Sequence, residues 1–341
     1  MKKLRVMVLV REGTEPPASL EGHSEDEIER WKTEYDVIRT LEELGHQVQT
    51  IGVYDDLTPI RQTIREWRPH IAFMLLEEFH GVVTYDHAVI SYLELMRQHY
   101  TGCNPRGLML SKDKALSKKI LTYHRIATPK FMVFPRGRKA RRTKQLTFPL
   151  FVKSVVEDAS LGISQASIVT TDQELMDRVA FIHDHAETDA IAEQYIDGRE
   201  IYVGVIGNDR LTALPPWEMH FKKMPENIAR IATRQVKWNR EYQKRHGITT
   251  SDAKDLSEEV VAALHRMCKR TYRALDMSGY GRMDLRLTPE GKAYVIEANA
   301  NPNIEFGEDF AESAETAGIV YSDLIQRILN LGLRYEAPWQ L

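Results

Sequence analysis

Apolar and polar positions in the first hundred residues switch between two periods. Leu4 to Val10 is a near-continuous apolar run of strand length, and Ser24 to Leu44 repeats at helical spacing. Gln47 to Val53 reads as a strand, Leu57 to Trp67 as a helix stopped by Pro69, Ile71 to Leu76 as a strand and Tyr85 to Gln98 as a helix. This alternation predicts a parallel sheet covered by helices. Ser24-Glu-Asp-Glu27 has the form of a capping box, and Gly45 that of a helix stop. The loop after the first strand, Arg11-Glu-Gly-Thr-Glu-Pro-Pro17, lacks the Gly-x-Gly-x-x-Gly phosphate fingerprint, which argues against a dinucleotide site there.

The texture changes beyond Asn104-Pro105. A helix is expected over Lys112 to His124, then strands over Lys130 to Phe134 and Pro149 to Ser154. Between that second strand and another at Gln165 to Val169 lies a turn of small and acidic residues, Val156-Glu-Asp-Ala-Ser-Leu-Gly-Ile163. The helix Asp172 to His183 leads to the strand Ala190 to Gln194, and Ile201 to Ile206 with Arg210 to Leu214 form a hairpin turned at Gly207-Asn-Asp209. Pro215 to Asp255 is long, charged and weakly patterned, and is expected to be a lid-like loop. Helices over Leu256 to Leu275 and Tyr321 to Leu331 complete the pattern.

The chemistry concentrates between Gly281 and Asn303. Thr288-Pro-Glu-Gly291 supplies a turn. Alternation puts Arg282 and Asp284 on one face, with Met283, Leu285 and Leu287 on the other. If Leu287 pairs with Lys292, Asp284 stands opposite Val295 and Arg282 opposite Glu297, with Glu297 and Asn299 on the same face as both. One guanidinium, two carboxylates and an amide then converge, a set suited to a hard cation that holds nucleotide phosphates. An exposed charged hairpin face could carry the same residues. Context favours the site, because polar Glu297-Ala-Asn299 follows directly on apolar Ala293-Tyr-Val-Ile296 and Asn301-Pro-Asn303 ends the strand.

Composition narrows the class. The chain has 341 residues, 43% of them hydrophobic, enough for two to three ordinary globular domains. No apolar run approaches a membrane span and the N-terminal apolar stretch is too short for a signal peptide, so the expected compartment is the cytoplasm, with no membrane partner. Cys103 and Cys268 are far apart and have no metal spacing, which excludes a disulfide framework and points to Cys268 as a small core residue. A formal net charge of -3 gives no general pull toward nucleic acid. Arg136 to Lys144 nonetheless holds six cations in nine residues, either a solvated loop or a contact for an anionic partner.

The order of these elements resembles the ATP-grasp superfamily, and within it the D-alanine:D-alanine ligase family. The likeness rests on the strand ending at Lys153 before a small-residue loop, on Glu193-Gln-Tyr-Ile196 with Glu200, and on Arg282-Met-Asp284 followed by Glu297-Ala-Asn299. It runs from about Asp113 to the C-terminus, while the N-terminal third agrees in texture. The resemblance implies an α/β fold, α+β in the ATP-grasp part: an N-terminal Rossmann-like domain (1–105), a small ATP-grasp lobe (106–195) and a C-terminal lobe with the metal site (196–341).

It also implies roles. Lys114 and Lys153 would meet the phosphates of ATP, Glu193, Gln194 and Ile196 the adenine, and Glu200 the ribose. Loop 157–162, with Ser160, would fold over the triphosphate. Lys237 would close over the reacting centre. Asp284, Glu297 and Asn299 would hold two Mg²⁺ ions, with Mn²⁺ as a substitute, and Arg282 would face the transferred phosphoryl group. Family members are commonly homodimers.

The implied activity is ATP-dependent amide formation between a small-molecule carboxylate and an amine through an acyl phosphate. The substrate-binding part departs from the family. No Glu-His-Glu segment stands between Arg11 and Leu20, and Glu77-Glu-Phe-His-Gly81 replaces a Gly-rich loop. Ala159 and Trp238 replace a serine and a tyrosine, and Asn303 and Glu308 replace the glycine and serine that grip the second substrate's carboxylate. Glu305, Glu308 and Asp309 would repel a carboxylate and attract an amine or guanidinium. The expected product is therefore not D-alanyl-D-alanine. A catalytically silent ATP-binding module, and a ligase acting on a protein or tRNA end with 136–144 as its docking site, are the alternatives.

Overall fold

A computed structural model of the chain describes residues 3–139, 141–156, 163–225 and 228–340. The expected triphosphate loop 157–162, with Ala159 and Ser160, lies outside the described residues. The first strands, β1 (Arg5–Arg11), β2 (Gln47–Val53) and β3 (Ile71–Met74), form a parallel sheet in the order β2-β1-β3. Next come β4 (Phe131–Phe134), β5 (Leu150–Ser154), β6 (Ile168–Val169) and β7 (Ala190–Gln194), an antiparallel sheet in the order β4-β7-β5-β6. The largest sheet is antiparallel and holds β8 (Arg199–Ile206), β9 (Thr212–Ala213), β10 (Trp217–Phe221), β11 (Ile248–Asp252), β12 (Tyr280–Leu287) and β13 (Ala293–Ala300). Its order is β11-β10-β8-β12-β13, with β9 on β8.

The apolar run of β1 is buried on both faces, as a helix-covered parallel strand must be. Val6, Val8 and Val10 share a core with Val37, Ile38 and Leu41 and with Leu324, Ile325, Ile328 and Leu329 of the C-terminal helix Tyr321–Arg334. Met7 and Leu9 join the core beneath β8 and β12. The C-terminal helix thus covers the N-terminal sheet. Burying each of its four core side chains stabilises the fold by about 1.5–3 kcal/mol.

A second seam ties residues 102–107 to the large sheet. Asn104 caps the helix Pro105–Lys112, its side chain accepting from Gly107 N at 2.9 Å. Its Nδ2 donates to Asp276 O at 2.7 Å and its backbone N to Ser278 Oγ at 2.9 Å. Gly279, at φ 71°, packs so closely that a Cβ there would lie 2.4 Å from Gly102 O. Only glycine fits such an approach. Asp113 then ends one helix and caps the next, Lys114–Tyr123, accepting from Leu116 N at 2.8 Å.

Three sequence expectations are corrected. The helix expected over 24–44 is two, Glu25–Glu29 with the capping box formed and Lys32–Glu43, because Trp31 leaves helical geometry to bury its ring beside His23 and Tyr35. The segment 165–169 begins as a 3₁₀ turn over Gln165–Ser167 and only Ile168–Val169 pair as a strand. The lid-like loop expected over 215–255 carries β10 and β11, which extend the large sheet, together with the helices Arg234–Trp238 and Arg240–His246. Trp217-Glu-Met-His-Phe221 alternates as a strand should, but Lys222 and Lys223 just after it obscure the pattern. Among the described residues, no helix is long and apolar enough to cross a membrane.

Candidate active site

The register of β12 and β13 differs from the simple hairpin. Leu287 pairs with Ala293 and Leu285 with Val295, then a bulge at Ile296 lets Asp284 face Glu297 and Arg282 face Asn299. The expected pairing of Asp284 with Val295 is therefore off by two residues, one at the turn, where Leu287 pairs with Ala293 rather than Lys292, and one at the bulge. The physical reason for the bulge is the core: Val295 and Ala298 are buried with Met283, Leu285 and Leu287. Strict alternation from Val295 would send Glu297 into that core as well; one extra residue turns it outward. Arg282, Asp284, Glu297 and Asn299 end on one face, as expected.

Each carboxylate on that face has its own cation. Arg282 is bidentate to Asp284, Nε to Oδ1 at 2.8 Å and Nη2 to Oδ2 at 3.0 Å, and its guanidinium lies 4.7 Å from the centre of the Tyr202 ring. Burial opposes the charge on Arg282, but Asp284 outweighs it and raises its pKa. Lys114, at the start of its helix, reaches Glu297 Oε1 at 2.8 Å. Burial pushes Glu297 up, yet Lys114, Lys153 and Lys237 override it and hold its pKa at about 2.

Opposite the hairpin, β5 presents Lys153 and β7 presents Glu193, their strands paired in the small sheet. Glu193 Oε1 lies 3.5 Å from Lys153 Nζ and 3.4 Å from Lys118 Nζ. Between this wall and the hairpin opens a cleft of about 660 Å³. Lys153, Glu193, Gln194, Ile196, Glu200, Lys237, Asp284 and Glu297 all line it, with apolar Phe151, Ile163, Ile231 and Ile296 between them. Apolar walls with a few converging polar groups suit a planar ring joined to an anion.

Within the same lining, Glu200 receives Arg286 Nη2 at 2.7 Å and the Tyr202 hydroxyl at 3.1 Å. Arg286 also donates to the backbone oxygens of Gly198 at 2.9 Å and Arg230 at 2.8 Å, which fixes the carboxylate beside the cleft. Lys237 stands on the short helix Arg234–Trp238, capped by Thr233, above β10 and β8.

The three expected substrate residues are not among those that line this cleft. Asn303 and Glu305 both meet the Thr33 hydroxyl, at 3.2 and 3.0 Å, on the N-terminal helix Lys32–Glu43. Burial raises the pKa of Glu305, and it raises Glu34 on the same helix, with Glu305 adding to the repulsion there. Glu308 is pushed up to about 7 by burial and by the charges of Asp309 and Glu305. Arg282 feels Asp309 and Glu308, so the acidic group adjoins its guanidinium.

Two residues of the site were missed. Arg286 follows Arg282 and Asp284 at the same two-residue spacing, so alternation alone places it on their face. Lys118 follows Lys114 by one helical turn and shares its side of the helix. In the basic segment, Arg136 lies 3.4 Å from Glu187 and Arg142 is bidentate to Asp172 at 2.7 and 3.0 Å, while Arg138, Lys139, Arg141 and Lys144 are exposed.

Comparison with known proteins agrees with this geometry. The family profile described as D-ala D-ala ligase C-terminus matches residues 120–330. An uncharacterized protein of Sinorhizobium fredii is 31% identical, covering 87% of this chain and 86% of its own. A D-alanine–D-alanine ligase of Carboxydothermus hydrogenoformans is 27% identical, over 87% of this chain and 91% of that protein. In fold, the chain is similar to a Bacillus anthracis D-alanine–D-alanine ligase crystallised with ATP, with a TM-score of 0.73 at 23% identity, covering 97% of this chain and 98% of that one. It is also similar to a D-Ala:D-Ser ligase of Enterococcus faecalis, with a TM-score of 0.69 at 18% identity, covering 97% and 100%. The bulged hairpin, the lysine-lined cleft and these matches lead to one assignment: the chain belongs to the D-alanine–D-alanine ligase family of ATP-grasp carbon–nitrogen ligases.

Proposed function

We propose that this protein joins a carboxylate to an amine with ATP as the driving reagent, and that its amine substrate is larger or more cationic than D-alanine. The carrying observation is the convergence of Arg282, Asp284, Glu297 and Asn299 on one face beside Lys114 and Lys153. Nucleotide binding alone would not call for a guanidinium at that point. Glu193, Gln194, Ile196 and Glu200 line the cleft, the first three taking the adenine ring and Glu200 the ribose in this proposal. A carboxylate there accepts from an amino group or a ribose hydroxyl.

In the first step a carboxylate oxygen of the substrate attacks the γ-phosphorus and the β–γ bridging P–O bond breaks, releasing ADP. In the second the amine nitrogen adds to the acyl carbon, the nitrogen loses a proton, and the C–O bond to phosphate breaks. Both steps place negative charge on oxygens. Arg282, Lys153 and Lys237 supply fixed positive charge there, and the apolar cleft walls limit water that would hydrolyse the acyl phosphate.

Asp284, Glu297 and Asn299 fit a hard cation. They offer oxygen donors, and among the described residues the buried Asn299 amide Nδ2 has no hydrogen-bond partner, so the amide is free to turn its oxygen inward. Mg²⁺ bound by these three would shield the phosphate oxygens.

Glu308 adjoins Arg282, and Glu305, which repels both Glu308 and Glu34, extends the acidic cluster to the N-terminal helix. Close carboxylates with raised pKa values are relieved by a cation, which supports an acceptor with an amine or guanidinium beyond the reacting nitrogen. The test is incubation with ATP, Mg²⁺ and pooled carboxylates and amines, read by ADP release and mass spectrometry. A condensed product that needs a basic acceptor supports the proposal; tight nucleotide binding without any turnover sinks it.

A further inference from the structure

We propose that Lys118 is a positioning residue that ties Glu193, at the adenine end of the cleft, to the bulged strand of the metal hairpin, and so sets the preference for ATP over other nucleotides. The inference rests on reading the cleft as an ATP site. Lys118 is almost wholly buried, at 1% exposure, and it does not line the cleft. Its Nζ donates to Ile296 O at 2.8 Å and to Thr128 Oγ1 at 3.1 Å, and lies 3.4 Å from Glu193 Oε1. Those three partners belong to three separate pieces of chain.

The bulge explains why a buried cation is there. A bulged residue leaves ladder groups unpaired, and a buried carbonyl without a partner is costly. Ile296 O is that group, and Lys118 completes it. Around it, Thr128 Oγ1 donates to Val295 O at 2.9 Å and Val295 N donates to Ala127 O at 2.9 Å, so residues 127–128 clamp the strand just before the bulge. The register that aligns Asp284 with Glu297 is therefore held from behind by Lys118 and Thr128.

The same ammonium serves Glu193. Lys153 and Lys118 flank one carboxylate oxygen at nearly equal distances, but Lys153 opens on the cleft and Lys118 stands behind the wall. When an anion draws Lys153 toward the cleft, Lys118 is the cation that stays with Glu193. A carboxylate held in place there accepts from the 6-amino group of adenine, whereas guanine presents a carbonyl oxygen at that position and is repelled. Burial lowers the pKa of Lys118 to about 8, against the pull of Glu193, in keeping with an enclosed ammonium that needs its partners.

The test measures equilibrium binding of ATP, GTP and inorganic tripolyphosphate to the full-length wild type, to Lys118→Gln and to Thr128→Val. The wild type is expected to prefer ATP to GTP. Lys118→Gln should lose ATP affinity by roughly 10- to 100-fold, the size of a charge-assisted hydrogen bond, with tripolyphosphate changed far less and the ATP-to-GTP ratio falling. Thr128→Val, which retains the lysine, should shift the ratio the same way by a smaller factor. A general loss of packing would weaken all three ligands together. An unchanged ATP-to-GTP ratio in folded Lys118→Gln overturns the proposal, and if that variant does not fold, an unchanged ratio in Thr128→Val does so. Failure of the wild type to bind ATP would instead refute the reading of the cleft.

Discussion

Asp284 stands directly across from Glu297, and it does so because Ile296 is bulged out of the β13 ladder. Inserting one residue between Asp284 and Leu285 would give Ile296 a partner, restore strict alternation and force a choice between burying Val295 and presenting Glu297 with Asn299. Keeping Val295 in the core turns Glu297 inward, and burying a carboxylate without a partner costs several kcal/mol, so the insertion variant should be less stable and lose turnover. Thermal melting should show a lowered but cooperative transition. Ile296→Ala keeps the residue count and should cost only a few-fold in ATP KM. Full activity in the insertion variant would show that the bulge does not align the carboxylates.

Arg282 forms two hydrogen bonds with Asp284 and stacks on Tyr202. Lysine keeps the charge but cannot form the fork or the planar stack. Arg282→Lys should lower kcat by about 10²–10³, as loss of a preorganised donor at developing charge does, with ATP affinity changed only a few-fold. Single-turnover ADP release against nucleotide binding separates the two effects. Equal losses in both would assign Arg282 to ground-state binding.

The sequence made most of this site legible because its signals are local. Alternation placed Arg282 and Asp284 together, and the same period would have added Arg286. The bulge was not legible, since a single extra residue leaves no mark in composition and is decided by how Val295 and Ala298 pack. Lys118 escaped for a different reason: a lysine on a helix usually reads as solvated, and only the approach of β7, β13 and Thr128 makes this one buried. Parallel β1, β2 and β3 were readable from continuous apolar runs, whereas β10 and β11 were lost in a charged stretch whose pairing partners are distant in sequence.

Glu308 carries a pKa raised from 4.5 to about 7. Its protonated form is favoured in the folded protein, so its contribution to stability is present below about pH 4.5 and lost as pH rises through about 7. Glu308→Gln should therefore raise the melting temperature at pH 8 and leave it unchanged near pH 4. The gain should be small, since solvent screens the exposed part of the side chain. Acceptor binding should run the other way. KM for a cationic acceptor should fall as wild-type pH rises through about 7 and become flat in the variant. A pH-independent wild-type KM would remove Glu308 from the acceptor site.

The basic segment separates into cations held by a carboxylate and cations exposed to solvent. Arg142 is bidentate to Asp172, donates to Leu146 O at 2.7 Å and lies 4.4 Å from the centre of the Phe148 ring, so its role is structural. Arg142→Glu should lower the melting temperature. Arg138, Lys139, Arg141 and Lys144 are exposed. Reversing the charge of Arg138, Lys139 and Arg141 together should leave melting and small-molecule turnover unchanged, because a solvated face contributes little to either. If turnover of small substrates is unchanged while activity on an anionic macromolecular acceptor is lost, the segment docks that acceptor. If the reversal instead lowers turnover of free amines, the patch steers small anionic substrates and acts at the range of screened charge, which rising salt would abolish in the wild type.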